Sequence, residues 1–161
     1  MFEWLRTVVN RRAALSRAAA DYSNFERDVR AAFVFLIEQH GFDRSSMTAI
    51  AHEQWITYVK PSVTVRVHRE LGSGPFVTLV APTPIERDQR CEFGLHELEQ
   101  EKEKLGRYSR KPSAPSSQQE SLAELAVALR GAGEDVLNGD FTILFDRHQR
   151  HLEAVSRNRD R

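Results

Sequence analysis

Apolar residues change their spacing twice along the chain, and the changes divide it into three stretches. In residues 1–20, Phe2, Leu5, Val8 or Val9, Ala13 and Leu15 recur at helical intervals and predict an amphipathic helix. Asp21, Ser23 and Asn24 are capping residue types that precede a second helical run. There Phe25, Val29, Ala32, Phe33, Phe35, Leu36 and Ile37 form a wide stripe, so this helix is expected to be mostly buried. Gly41 suits the left-handed position at its end, with Phe42 placed to pack back on the last turn.

From Ser46 the period shortens. Residues 47–51 and 55–59 read as short strands. Val63, Val65 and Val67 alternate with Thr64, Arg66 and His68, a strand with one apolar face. Leu71-Gly72-Ser73-Gly74-Pro75 has turn chemistry, residues 76–80 read as the return strand, and Pro82 and Pro84 stop it. Helical spacing then returns. Residues 95–105 form a polar helix whose thin stripe of Leu95, Leu98 and Leu105 predicts a surface position. Residues 107–120, with two prolines and four serines, read as a flexible linker. Ser121 opens a helix carrying Leu122, Leu125, Ala126, Val127 and Leu129, ended by Gly131 or Gly133. Val136 and Leu137 add a turn. Asp140 caps a last helix with Phe141, Ile143, Leu144 and Phe145 on its buried face, and a frayed tail is expected after about residue 153.

Strands clustered between helices predict an α+β fold over residues 1–161. It has N-terminal helices, a small central antiparallel sheet of three or four strands, and C-terminal helices. A doubly wound sheet needs strands and helices to alternate, and here they do not.

Composition narrows the function classes. With 40% hydrophobic and 29% charged residues, the chain has the make-up of a soluble globular protein. Its 23 basic and 23 acidic side chains cancel, which excludes the overall basicity of many nucleic-acid binders. Cys91 is the one cysteine, which excludes an internal disulfide framework and a multi-cysteine zinc site. With no secretion signal and no apolar run near the ~20 residues of a membrane span, a cytoplasmic protein without membrane contact is expected.

Among the six histidines, His148 and His151 lie three apart on a predicted helix with Asp146 close by. Arg147 and Arg150 beside them repel a cation, so no metal is expected, and no phosphate-cradling glycine loop calls for a cofactor. His68, Glu70 and Arg66 on the central strand, with His52 ahead of it, form a kit for metal-independent cleavage of RNA. In that kit His68 is a base, Glu70 an acid or partner, and Arg66 steadies phosphate charge. The plainer account is that Arg66 and His68 simply occupy the solvent face of a one-sided sheet.

For nucleic acid, residues 1–30 carry six arginines against four acids and residues 141–161 five against three. The five acids against one arginine in residues 112–140 work against a shared basic strip. Trp55 is by residue type a core candidate, and with Tyr58 an aromatic anchor for a protein partner. Glu97 and Glu101, in the acidic run 92–103, would suit a basic partner.

The stretches FVFLIEQHGF (33–42), YVKPSVTVRVHRE (58–70) and LAELAVALRGAGEDVLNGD (122–140) together resemble small uncharacterised bacterial α+β proteins of the toxin-immunity type. The likeness is one of layout over about half of the chain and carries over no functional residue. It implies an inhibitor that binds a cognate toxin domain and occludes it. The leading expectation is therefore a non-catalytic protein-interaction module contacting its partner through Trp55, Tyr58, Glu97 and Glu101. A small nuclease and a nucleic-acid-binding accessory protein with arginine-rich terminal helices are the alternatives. The stripe on the N-terminal helix leaves room for a homodimer.

Overall fold

Helical and strand spacing sort into two layers in the computed structural model, which describes residues 23–50, 53–70, 73–82, 92–110 and 114–159. The amphipathic run of residues 1–20, Cys91 and His52 lie outside the described residues. In chain order the elements are α1 (residues 23–32), α2 (Val34–Glu38), β1 (Asp43–Ile50), β2 (Glu53–Lys60), β3 (Val63–Glu70), β4 (Phe76–Val80) and β5 (Glu92–Gly94). Then come α3 (Leu95–Lys104), α4 (Gln118–Ala132), α5 (Glu134–Leu137) and α6 (Thr142–Arg159). The architecture is α+β, with helices at both ends of the described chain. The sheet has five strands rather than three or four, all antiparallel to their neighbours, in the order β1-β2-β3-β4-β5. The extra strand is β5, three residues that pair with β4 beyond the proline stop.

The alternation in β3 decides which way the sheet faces. Val63, Val65 and Val67 are buried, and the register sets Ile56 and Tyr58 of β2 and Val77 and Leu79 of β4 beside them. Phe93 of β5 pairs with Leu79 on the same face. Helices land on this side. Phe33 of the α1–α2 junction packs its ring on Tyr58, the Tyr58 hydroxyl donates to the Val29 carbonyl at 3.5 Å, and Phe93 meets Phe141 and Phe145 at the start of α6. One apolar cluster runs from Phe25 through the sheet to Leu144.

The helical run from residue 23 breaks at Phe33 and ends at Gly41, whose φ of 67° takes the left-handed conformation. The Phe42 amide then donates back to the Leu36 carbonyl at 3.0 Å and its ring is 3% exposed, the closing turn expected from the sequence. Gly139, at φ 93°, lies against the β2–β3 turn, where a β-carbon would come within 2.7 Å of Ser62. This contact and the Lys60 ammonium, 3.4 Å from the Leu137 carbonyl, tie α5 to the sheet.

Helix α3 is not the surface helix its composition predicts. Glu97, Glu101 and Lys102 are buried because each is ion-paired. Glu97 and Glu101 meet Arg147, Glu101 also meets Arg150 and Lys104, and Lys102 meets Asp135. Residues Tyr108 and Arg110, read as linker, are tied to Glu99, and Arg110 donates to the Glu124 carbonyl. Helix α4 starts at Gln118, with Ser117 as its cap accepting from the Glu120 amide. Helix α6 continues to Arg159, with residues 149–157 exposed.

Candidate functional site

Strand geometry sends alternate residues to opposite faces, so the buried valines of β3 oblige Thr64, Arg66 and His68 to the other side. The register assembles a row there. Trp55 of β2 stands opposite His68, and His68 opposite Phe76 of β4. One step along, Thr57, Arg66 and Thr78 line up with Gly94. Glu53 pairs with Glu70 at the end of the hairpin. Between these rows lies a concavity of about 300 Å³ lined by Glu53, Trp55, Arg66, His68, Thr78 and Glu92. Every one of these residues belongs to β2, β3, β4 or β5, and none to a described helix.

Four polar groups of the hollow are engaged in two pairs, His68 with Thr78 and Arg66 with Glu92. His68 Nε2 shares a 2.7 Å hydrogen bond with Thr78 Oγ1, and its ring lies tilted by 46° against Phe76 with centroids 3.4 Å apart. Burial pushes the imidazole down to about 4, the Arg66 charge adds to this, and Glu92 opposes it. His68 is therefore neutral at neutral pH. Arg66 donates to Glu92 at 2.7 Å in an exposed ion pair. Around the hollow, among the described residues, Glu53, Glu70 and Glu92 set three carboxylates against the one guanidinium of Arg66, so its rim is net acidic. Its apolar members stay partly open, with Phe76 at 45% and Val59 at 44% exposure and Trp55 half-buried.

The hollow thus joins Arg66 and His68, expected as catalytic partners, to Trp55, expected as a partner anchor. Glu70 shares their face. Tyr58, Glu97 and Glu101 do not join them. Tyr58 is 1% exposed in the core, where burial pushes its hydroxyl up to about 12. Glu97 and Glu101 are held in the ion pairs between α3 and α6 and present no free carboxylate. Their expected place on a contact surface is corrected by their burial. Sequence reasoning missed Glu53, Thr78 and Glu92. The alternation of β2 and the hairpin register carry the signal for Glu53 and Thr78. Glu92 had none, because three residues show no periodicity.

His148 and His151 line a second hollow of about 170 Å³ with Phe93, Glu97, Leu144 and Arg147. Among the described residues no group of three or more histidines, cysteines and carboxylates is placed to hold a metal. Of the arginines of α6, Arg147 and Arg150 pair with Glu97 and Glu101 of α3, and Arg157 with Glu153. No described helix is long and apolar enough to cross a membrane. Compared with protein-family models, curated proteins and solved structures, the chain matches none.

Proposed function

We propose that this chain is a non-catalytic protein-interaction module, an immunity-type inhibitor that docks a toxin domain on the face of the sheet that bears Trp55. The observation that carries the reading is the hollow itself. A half-buried tryptophan sits beside two engaged polar pairs, His68–Thr78 and Arg66–Glu92, within a net acidic face. Aromatic anchors surrounded by a charged rim are the usual make-up of a protein interface. Acidic charge on that rim fits a partner whose working surface is basic, as a surface that handles nucleic acid must be. The same geometry weakens the nuclease alternative. An imidazole whose pKa is held near 4 is a weak base, and the charge of Arg66 is already offset by Glu92.

The test is capture of the tagged chain from its own cells, followed by reconstitution with the purified partner. A stoichiometric protein held by the wild type and by Val127→Ala (57% exposed, on α4), but lost with Trp55→Ala, is the expected result. Truncating a central anchor should weaken the reconstituted complex by about 2 kcal/mol or more. Capture undiminished by Trp55→Ala, or recovery of nucleic acid in place of protein, would overturn the reading. RNA cleavage abolished by His68→Ala would replace it with the nuclease.

A further inference from the structure

The two edges of the sheet are built differently. Strand β5 is three residues long and runs directly into α3, so that edge offers little backbone for pairing. Strand β1 is eight residues long and, among the described residues, pairs on one side only, with β2. Natural edge strands are guarded by charges, prolines, bulges or a covering element. β1 has an irregularity between Asp43 and Ser46, and its charged residues, Asp43 and Arg44, stand at that same end. From Ser46 to Ile50 the register with β2 is unbroken, and the residues carry no charge and no proline. Met47 is 40% and Ile50 61% exposed, and Ser46 and Ala49 are exposed as well. Alternate residues of a strand face opposite ways, so among the described residues β1 is open on both faces as well as along its edge.

We infer that two copies of this chain pair edge to edge along β1, antiparallel and about a two-fold axis at Met47. Edge-to-edge pairing of identical antiparallel strands is isologous, and it keeps each residue on its own face of the joined sheet. With the axis at Met47, that side chain meets its own copy and Ser46 meets Thr48. The strand's charged residues lie at its start, away from the axis, so like charges never stand opposite one another. A second copy thus meets no like-charge barrier along this edge, and the five strands of each chain become one continuous sheet. The axis runs perpendicular to the sheet. Both Trp55 hollows consequently open on the same side, giving a two-site surface.

The test is sedimentation equilibrium of the full chain from about 1 μM to about 1 mM, a range that brackets weak and moderate self-association. The expected average mass climbs from 18.5 kDa toward twice that value. Met47→Lys and Met47→Glu each put like charges face to face across the axis, and each should raise the dissociation constant about tenfold or more. Met47 is exposed, so both variants should keep the circular dichroism of the wild type. An equal mixture of the two should dimerise again, because the lysine of one chain then faces the glutamate of the other. Trp55→Ala should leave the dimer unchanged, which separates this interface from the docking face. A strict monomer over the whole range, a dimer indifferent to both Met47 variants, or a mixture that fails to reassociate would each overturn the inference. A monomer whose captured partner is lost with Met47→Lys would assign the edge to a strand of that partner instead.

Discussion

His68 shows how differently one position reads in the sequence and in the fold. In the sequence it stands between Arg66 and Glu70 on an exposed face, a spacing that suits acid–base work on RNA. In the fold its Nε2 is bonded to Thr78, its ring lies against Phe76, and burial holds its pKa down near 4. Folding therefore favours the neutral imidazole. Between about pH 6.5 and pH 4 the unfolded chain binds a proton that the folded chain does not, so stability falls as pH falls through that window. His68→Gln keeps a group able to bond Thr78 and removes the titration. The expected outcome is a urea midpoint that drops from pH 7 to pH 4.5 in the wild type and drops less in the variant. Parallel curves would show that the folded imidazole protonates normally. Carboxylates such as Glu101 and Asp28 titrate in both proteins, so the difference between the two curves isolates His68.

At the scale of elements, legibility followed periodicity. The wide stripe of α1 and α2, the valine alternation of β3 and its hairpin with β4 were all readable, because burial on one side imposes a period on the chain. β5 was not, since three residues carry no period and its pairing is set by where the chain returns after β4. α3 misled for a different reason. Composition treats Glu97, Glu101 and Lys102 as solvent-facing, yet a charged side chain can be buried when its counter-charge arrives from another element. Half of the hollow was legible in the same sense: Arg66, His68 and Trp55 stood out, while their neighbours depended on register. Glu101 is where α3 and α6 are joined, with Lys104 at 2.7 Å, Arg150 at 2.7 Å and Arg147 at 3.5 Å. Burial alone raises its pKa, but the hydrogen bond from Lys104 and the charges of Lys104, Arg150 and Arg147 outweigh that and hold it below the ordinary carboxylate value. Its contribution is thus complete above the ordinary value of 4.5 and is lost as pH falls below it. Glu101→Ala should cost about 2–3 kcal/mol at pH 7, read from denaturant unfolding, because it leaves Arg147 half-buried without this partner. The penalty should shrink toward pH 3. A cost under about 0.5 kcal/mol would mean the cluster behaves like a solvated surface pair.

The molecule as a whole is asymmetric. Its apolar contacts are concentrated on one face of the sheet, and its partly open aromatics and a net acidic rim lie on the other. A chain with no overall charge can still steer a partner when its charge is segregated in this way, because screening limits the field to about 8–10 Å at physiological salt. The open face should therefore control how fast a basic partner docks. Glu53→Lys with Glu92→Lys turns three carboxylates against one guanidinium into one carboxylate against three cations, at exposed positions the core does not need. The expected result is a tenfold or greater fall in association rate at low salt. That difference should narrow as salt is raised, with melting temperature nearly unchanged. The wild-type rate should itself fall with salt, and the rate of the doubly substituted chain should rise. If both chains associate equally fast at every ionic strength, the partner does not meet this face, and the acidic rim is there for solubility alone.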